Sequence, residues 1–397
     1  MTRQFDMCSN EKITILGAGI GGLTAALACA QHGAKVQVLE QAEAIREVGA
    51  GLQISPNGFK VLDRLGLGSA VRSLAVEASA VQLRDYAAGK PVFSLELAQS
   101  LHRPYLFVHR ADLINLLAGA ARAAGVKIRF LQHVKQVELC ADGKPCLTTA
   151  QGARVPAGLL IGADGVKSVV RPAVCGPSRP FFTRQVAWRA VVPALGEMAA
   201  QVTVHMGPGR HIVSYPIRGG KFVNIVAVEE RTNWVEEGWN RKDDPQNVRE
   251  AFAKFCPDVR ALLDRVEEVH LWGLFRHPVA NNWSKGRMAV LGDAAHPTLP
   301  FMAQGASMAI EDAWALAQSL DTHDDVAKAF AAYQDIRIGR VRRVINASSN
   351  NARNYHLSFP PLRFAAHTAL RIATRVAPEM ALKKFDWLYG YDITKEI

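Results

Sequence analysis

The chain lacks the features that mark several other classes of protein. Its six cysteines are scattered and form no C-x-x-C pair, which argues against a zinc knuckle and a disulfide framework, so we expect reduced thiols and no metal site. No apolar run approaches the roughly 18 residues that a membrane-spanning helix needs. Residues 1–10 also lack the apolar core of a secretion signal. We therefore expect a globular, cytoplasmic protein without a transmembrane segment.

The positive charge is large, but its arrangement is not typical of a nucleic-acid-binding protein. The formal net charge is +11 and the pI is about 9.5, yet the basic residues form no long run with aromatic residues between them. The densest group has helical spacing and predicts a solvated helix face: Arg337, Arg340, Arg342 and Arg343. We expect no nucleic-acid partner, because a basic surface also attracts small anions such as carboxylates and nicotinamide nucleotides.

A glycine-rich turn between two apolar strands is the most informative motif. The sequence G-A-G-I-G-G, which contains Gly17, Gly19 and Gly22, lies between an apolar run and a helical pattern, and a second strand ends at Glu40. In a dinucleotide site the first glycine permits the tight turn, the second lets a pyrophosphate approach the backbone, and the third lets the helix pack closely. Glu40 can accept hydrogen bonds from a ribose 2′-OH and argues against a 2′-phosphate at this site. The motif predicts a dinucleotide-binding βαβ unit.

The pattern of strands changes in the middle of the chain. From Phe182 to Leu274 the strand-like segments are rich in Trp, Tyr and His, which predicts an antiparallel sheet inserted into an α/β nucleotide-binding fold. Ligand sites favour the cleft between two such parts. We expect four segments: 1–180 and 276–345 for the nucleotide-binding domain, 181–275 for the inserted sheet, and 346–397 for C-terminal helices.

Three further motifs place polar residues at the ends of predicted elements. Asp164 lies between glycines after a buried strand, where it suits either a diphosphate-linked ribose or the capping of a helix. Asp293 follows another strand and can bind polyol hydroxyls in a loop held rigid by Pro297. Arg110 begins a helix, where the helix dipole disfavours a cation, so a ligand contact would explain it.

Taken together, these motifs resemble a known family. GAGIGG with Glu40, HRADL, GADGVKSVVR, GDAAHPTLPFMAQGASMAIEDA and the tail DWLYGYD are similar to those of single-component FAD-dependent aromatic monooxygenases of the para-hydroxybenzoate hydroxylase type. The resemblance covers nearly the whole chain. It is greatest to the salicylate hydroxylase-like branch, which includes 3-hydroxybenzoate 6-hydroxylase and 6-hydroxynicotinate 3-monooxygenase. It implies a Rossmann-like FAD-binding domain, an inserted antiparallel sheet for the substrate, and C-terminal helices.

The resemblance also implies which residues bind FAD. The ADP half, the flavin ring and the ribityl chain would be held by Gly17, Gly19, Gly22, Glu40, Gly49, Ala50, Gly51, Arg110, Asp164, Asp293, Pro297, Gln304, Gly305 and Ala306. NADH or NADPH would reduce the flavin, and O2 would then form a C4a-hydroperoxide whose distal oxygen is transferred to an electron-rich aromatic ring. The flavin carries this chemistry while the protein orients and shields it.

A phenolic substrate needs a base, and the inserted sheet offers one. His211 and Tyr215 are four residues apart, so on a strand they share one face. Imidazole titrates near neutrality, which suits a base for a phenol, although packing residues would show the same pattern. Further pocket candidates are Gln53, Arg189, His205, Pro300 and Phe301.

Two alternatives stay open at this point. Related hydroxylases often place His or Gln where this chain has Pro300 or Phe301, so a larger apolar substrate, such as a quinone precursor or polyketide-like phenol, competes with a small benzoate. A flavoprotein without oxygenase activity is the other alternative. The choice between NADH and NADPH is open as well, and the aromatic-rich C-terminal helices suggest a homodimer contact.

Overall fold

A computed structural model describes residues 12–45, 50–97, 103–177, 179–232, 241–376 and 383–396. The strands in these ranges are β1 Lys12–Leu16, β2 Lys35–Leu39, β3 Gly51–Ile54, β4 Val76–Glu77, β5 Ala80–Asp85, β6 Pro91–Glu96, β7 Leu106–His109, β8 Lys127–Arg129, β9 Val134–Leu139, β10 Pro145–Thr149, β11 Arg154–Pro156, β12 Leu159–Gly162, β13 Phe181–Pro193, β14 Gln201–Gly207, β15 Arg210–Ile217, β16 Phe222–Glu230, β17 Lys242–Asp243, β18 Val269–Arg276, β19 Ser284–Lys285 and β20 Met288–Val290.

The α-helices in the same ranges are α1 Ile20–Gln31, α2 Pro56–Arg64, α3 Gly68–Leu74, α4 Arg110–Ala123, α5 Val170–Cys175, α6 Pro245–Ala251, α7 Pro257–Asp264, α8 Gly305–Thr322, α9 Val326–Tyr355, α10 Pro360–Val376 and α11 Asp386–Tyr389. Short 3-10 turns lie at Gly292–Ala294, Pro300–Met302 and Ile393–Lys395. None of the helices in the described ranges is long and apolar enough to cross a membrane.

The nucleotide-binding part is built on a six-stranded sheet. Its strand order is β19-β20-β12-β1-β2-β8, and all neighbours except β19 and β20 run parallel. The four residues Ile13–Leu16 are all buried, as expected for a central parallel strand that is covered on both faces. Helix α1 is also buried along most of its length, because it lies between this sheet and α8.

The second large sheet has eight strands in the order β17-β18-β13-β16-β15-β14-β5-β6. Neighbouring strands are antiparallel except for β5 and β14, which run parallel. One face packs on α6 and α7 through a core that includes Trp188, Ile212, Phe252 and Leu263. The expected α/β fold with an added antiparallel sheet is confirmed. The hairpin β5–β6, from the first third of the chain, extends this sheet through a pairing that no local pattern encodes.

Candidate active site

A cavity of about 770 Å³ lies between the two large sheets. At one end its walls come from the β1–α1 turn and the ends of β2 and β12, and at the other from the second face of the eight-stranded sheet. The turn at Gly292–Ala294 and the start of α8 line the space between these ends. The cavity therefore connects a dinucleotide-type turn with an aromatic-rich sheet.

The three glycines of the turn have different environments. A Cβ at Gly17, where φ is +105°, would lie 2.5 Å from the carbonyl oxygen of Ala163, and a Cβ at Gly22 would lie 2.1 Å from that of Gly17. Both positions need glycine because backbone atoms already fill the space. A Cβ at Gly19 would meet no protein atom within 4 Å, and Gly19 lines the cavity. The space in front of Gly19 and the α1 N-terminus suits a pyrophosphate.

Glu40 lies at the end of β2 and lines the same end of the cavity. Its Oε2 accepts a hydrogen bond of 2.7 Å from the backbone N–H of Ala18, and its Oε1 accepts one of 2.9 Å from that of Ala42. A carboxylate has about four acceptor positions, so two hydroxyl donors can still bind. The orientation of this carboxylate is compatible with a ribose diol.

Asp164 lies in the turn before α5, accepts hydrogen bonds from that turn and also lines the cavity. Its carboxylate accepts hydrogen bonds from Ser168 Oγ at 2.5 Å and from the N–H groups of Val169 at 2.8 Å and Val170 at 3.3 Å. Burial raises the pKa of Asp164, while these hydrogen bonds oppose that shift. The carboxylate therefore stabilises the turn before α5, whose N-cap is Val169, and a role toward a nucleotide stays a prediction.

The turn Gly292–Ala294 brings Asp293 to the middle of the cavity, beside Pro297. Burial raises the pKa of Asp293, and the positive charges of His296 and Arg110 would oppose the shift. Arg110 is the first residue of α4 and lines the cavity as well. A carboxylate and a guanidinium thus lie where a ribityl chain and a flavin would need polar partners.

A buried cluster of charged side chains forms hydrogen bonds to this turn. Asp312 Oδ2 lies 2.5 Å from His296 Nε2 and accepts a hydrogen bond of 2.9 Å from the N–H of Gly292. Arg337 donates through Nε to Asp312 Oδ1 at 2.8 Å and forms an ion pair of 2.6 Å with Glu311. Burial alone would raise the pKa of Asp312, but His296 and Arg337 hold it at about 2.

The cluster corrects one expectation from the sequence. Of the four arginines expected on a solvated helix face, Arg342 and Arg343 are exposed, but the side chains of Arg337 and Arg340 are 0% and 8% exposed. Arg340 pairs with Glu311 at 2.8 Å. Helical spacing identifies neighbours on a helix, but it does not identify the side that another helix covers, and here α9 packs on α8.

The start of α8 faces the cavity through Gly305 and Ala306. The first N–H groups of a helix have no partner within the helix, so they can donate to a ligand carbonyl. Gln304 is buried behind this point, where its Nε2 donates to Ser55 Oγ at 3.0 Å and its Oε1 accepts from Asn57 Nδ2 at 3.1 Å. Its side chain therefore ties α8 to α2 and does not line the cavity.

The small residues before and in β3 approach the second sheet. Gly49 lies outside the described residues. The carbonyl of Ala50 accepts a 3.0 Å hydrogen bond from the N–H of Arg110, and Gly51 lines the cavity. The N–H of Gly51 donates to Asn224 Oδ1 at 2.6 Å, and a Cβ at Gly51 would lie 2.7 Å from Asn224 Cβ. Only glycine permits this approach of β3 to β16.

His211 and Tyr215 line the aromatic end of the cavity from one face of β15. Burial lowers the pKa of His211 well below its ordinary value, so the imidazole is neutral at pH 7. Burial also raises the pKa of Tyr215 far above its ordinary value, so the phenol keeps its proton. The strand alternation predicted for this pair is confirmed, and the two side chains offer one acceptor and one donor.

Four of the five other predicted pocket residues line the cavity, and His205 does not. Gln53 and Arg189 line the cavity; the hydroxyl of Tyr105 donates to Gln53 Oε1 at 2.7 Å, and Arg189 lies 4.6 Å from the centre of the Trp272 ring. Pro300 and Phe301 also line the cavity.

His205 is not brought to the cavity, contrary to expectation. It pairs with Ile212 on β15 and so faces the core against α6 and α7, while its neighbour Val204 faces the cavity. Burial lowers the pKa of His205 to about 4.

Several side chains of the aromatic end were not predicted. Tyr355 and Tyr389 line the cavity, and His356 contacts His211 from the end of α9. The only sequence signal among them was Tyr389, in the C-terminal D-W-L-Y-G-Y-D segment. Tyr355 and His356 belong to no local motif, so only the tertiary structure identifies them.

Comparison with known proteins agrees with this geometry. Residues 10–348 match the family model described as an FAD binding domain. The 3-amino-4-hydroxybenzoate 2-monooxygenase PtnB3 of Streptomyces platensis is 35% identical over 391 residues, with 96% of each chain covered. The 3-hydroxybenzoate 6-hydroxylase of Polaromonas naphthalenivorans is also 35% identical over 394 residues, again with 96% of each chain covered.

A solved structure is similar over the same extent. HpxO of Klebsiella pneumoniae, complexed with FAD and uric acid, superposes with a TM-score of 0.81 at 26% identity and covers 93% of this chain and 95% of that chain. The open space at Gly19, the acceptors of Glu40 and the carboxylate of Asp293 fit FAD in the cavity. The chain therefore belongs to the family of FAD-dependent aromatic monooxygenases, as its motifs indicated.

Proposed function

We propose that this protein hydroxylates a phenolic or aromatic-acid substrate with O2 and with NADH or NADPH as the electron donor. The observation that carries the proposal is the continuous cavity, which has a dinucleotide-type turn at one end and a neutral, buried imidazole at the other. Relatives that are 35% identical are named for hydroxylation of hydroxybenzoates, which supports the same substrate class.

FAD would lie along the cavity from the β1–α1 turn to the start of α8. The residues that we assign to it are Gly17, Gly19, Gly22, Glu40, Gly49, Ala50, Gly51, Arg110, Asp164, Asp293, Pro297, Gln304, Gly305 and Ala306. Gly22, Ala50 and Gln304 would act through the backbone or through packing, because they do not line the cavity. When bound, FAD supplies the transfer of reducing equivalents and the activation of oxygen.

His211 would act as the base for the substrate hydroxyl. Its low pKa keeps the ring neutral, so its unprotonated nitrogen can accept a proton when a phenol binds. Tyr215, which keeps its own proton, would donate a hydrogen bond to the same oxygen once it is a phenolate. A deprotonated phenol oxygen makes the ring electron-rich, as electrophilic hydroxylation requires.

The remaining walls bear on the size and charge of the substrate. Arg189 lies near Tyr215 and lowers its pKa against the effect of burial, so it is the cation that we assign to an aromatic carboxylate. A second candidate, a larger apolar phenol, is supported by the apolar side chains of β5, β6 and β14 in the cavity wall, such as Leu83, Phe93 and Val204.

The test is oxidation of NADH and NADPH by the FAD-loaded protein, with hydrogen peroxide and hydroxylated product measured together. The panel holds salicylate, 3-hydroxybenzoate, 6-hydroxynicotinate and larger apolar phenols. We expect stimulated oxidation with a hydroxylated product for at least one compound, and loss of that product in H211Q. R189M should raise KM for benzoates and leave KM for uncharged phenols unchanged.

Three results would contradict parts of the proposal. Stimulation with peroxide as the only oxygen product would show that the compound is an effector. No stimulation by any compound would favour a flavoprotein without oxygenase activity. Unchanged turnover of H211Q at neutral pH would remove His211 as the base.

A cytoplasmic location and a homodimer also stay predictions, and size-exclusion chromatography with light scattering tests the latter.

A further inference from the structure

We propose that His211, His356 and Glu230 form a proton relay that connects the substrate end of the cavity with bulk solvent. The proposal rests on the proposed function only in that the proton comes from a phenol. It assigns His356 and Glu230 as positioning residues that act through His211. None of the family motifs in the sequence includes either residue.

The three side chains make a continuous chain of short contacts. His211 Nδ1 lies 2.7 Å from His356 Nε2, and His356 Nδ1 lies 2.8 Å from Glu230 Oε1. His211 is 1% exposed and His356 is 5% exposed, whereas the side chain of Glu230 is 51% exposed. The chain therefore begins in the cavity wall, crosses the end of the eight-stranded sheet and ends in water.

The backbone holds this arrangement in place. Glu230 is the last residue of β16, and His356 directly follows α9. The N–H of Gly209, in the β14–β15 turn, donates to the carbonyl of His356 at 3.2 Å, and the N–H of Glu230 donates to the carbonyl of Gly209 at 2.9 Å. Thus the same turn ties the helix end to the strand end.

For two histidines that each carry one ring proton, the contacts determine which nitrogen carries it. Glu230 is a carboxylate whose pKa is lowered by the hydrogen bond from His356, so it accepts, and His356 must donate from Nδ1. When His356 carries only this one ring proton, its Nε2 is an acceptor, and His211 must donate to it from Nδ1. This leaves the lone pair of His211 on Nε2, since the other ring nitrogen sets the tautomer.

A proton can pass along this chain from the phenol to Glu230 in three transfers. The phenol O–H bond breaks as the His211 Nε2–H bond forms, and the His211 Nδ1 proton moves to His356 Nε2. The His356 Nδ1 proton then moves to Glu230, which releases it to water. No electron transfer is involved, and each histidine gives one proton for the one that it receives. The phenol is left as a phenolate.

The charged groups around the chain do not compete with it. Arg210 and Arg231 pair with Glu229, at 3.2 and 2.8 Å, and not with Glu230. The aromatic neighbours of His211 are Phe301 and Tyr355, and burial raises the pKa of Tyr355 to about 12. The strand neighbours of His211 are Met206 and Val228.

The first experiment reads the tautomers and needs no substrate. In FAD-loaded protein with 15N-labelled histidine at pH 8, we expect both relay histidines to carry the proton on Nδ1, with signals assigned through H211Q and H356Q. E230L removes the acceptor, so the ring protons of His211 and His356 should no longer be restricted to Nδ1. E229Q, which neutralises the neighbouring carboxylate instead, should leave both tautomers unchanged. A proton on Nε2 of His211 in the wild-type protein would overturn the relay.

The second experiment follows the proton. FAD-loaded protein without nicotinamide nucleotide is mixed rapidly with 3-hydroxybenzoate and a pH-indicator dye in weakly buffered solution. E230Q keeps a hydrogen-bond acceptor but has no negative charge, so proton release should slow about tenfold, as for the loss of one pKa unit of basicity at His211. H356Q should slow release at least as much, and E229Q should match the wild type.

The two readouts separate failure of the relay from failure of the proposed function. If phenols are hydroxylated but E230Q and H356Q release protons at the wild-type rate, the relay is refuted and the function stands. If the wild-type protein neither binds nor hydroxylates any phenol of the panel, the proposed function fails, and the tautomers decide whether the chain His211–His356–Glu230 exists.

Discussion

Arg337→Met should destabilise the protein strongly, although Arg337 lies outside the cavity lining. Its guanidinium is fully buried and contacts both Glu311 and Asp312. In this cluster two carboxylates face two guanidinium groups, the second being that of Arg340. R337M fills most of the volume but removes the guanidinium that both carboxylates share, so Asp312 keeps only His296 and Glu311 keeps only Arg340 as charged partners. Removal of one partner from a buried ion pair costs about 3–5 kcal/mol.

The magnitude can be expressed as a melting temperature. Unfolding entropy near 60 °C is about 2.1 cal/mol/K per residue, and the chain has 397 residues. If the chain unfolds as one unit, the loss corresponds to a decrease of about 4–6 °C in Tm. Differential scanning calorimetry of the FAD-loaded protein, at a fixed excess of FAD, measures this change. The excess matters because bound ligand itself raises Tm.

Two further variants make the test specific to charge. Arg342→Met, on the exposed side of the same helix, removes one hydrogen bond of 3.1 Å to Asn281 and should change the free energy of unfolding by less than about 0.5 kcal/mol. Asp312→Asn in the R337M background removes the buried carboxylate that has lost its guanidinium partner and should recover part of the lost stability. A decrease below about 1 °C for R337M, or a double variant no more stable than R337M, would refute this reasoning.

Three other predictions follow from single contacts. Gly19→Ala should lower the ratio of bound FAD to protein, measured by absorbance, and leave the Tm of the apoprotein nearly unchanged, because the new Cβ meets no protein atom; Gly22→Ala, with its Cβ 2.1 Å from a backbone oxygen, should lower that Tm instead. The pKa of Asp312 is lowered to about 2, so its carboxylate stabilises the fold above about pH 4, and this contribution, on the order of 2 kcal/mol, is lost as the pH falls through about 2. The difference in Tm between wild type and D312N should therefore shrink over that range; a constant difference would contradict this. Lys60 donates to three carbonyl oxygens of the C-terminal segment, so Lys60→Met should speed proteolytic cleavage of that segment. Lys127→Met, on an exposed strand, should not change the cleavage rate. Equal cleavage rates in the two variants would contradict the idea that Lys60 holds the segment in place.

The sequence predicted much of the nucleotide end of the cavity because its determinants are local. The turn that begins at Gly17, the acid at Glu40 and the turn that contains Asp293 each follow a strand closely. The carboxyl ends of neighbouring parallel strands meet at one edge of a sheet. Three local motifs therefore meet in one cavity once the strand order is known.

The aromatic end was less predictable because it depends on register and burial. His205 and His211 both looked like pocket residues, yet a shift of one residue in a strand reverses the face, and the structure turns only His211 to the cavity. Arg337 and Arg340 looked solvent-exposed from their spacing, but α8 covers them. Neither outcome can be read from composition or from periodicity alone.

The sequence by itself determined the βαβ unit, the α/β class, the family and most of the residues that line the nucleotide end of the cavity, because glycines and acids at strand ends have steric and hydrogen-bonding roles that act over a few residues. Only the tertiary structure decided what surrounds His211. His356 lies 145 residues away along the chain and Glu230 ends another strand, so their contacts arise from the packing of α9 against the eight-stranded sheet. Proton transfer requires contacts of about 3 Å, and separation along a sequence carries no information about such distances.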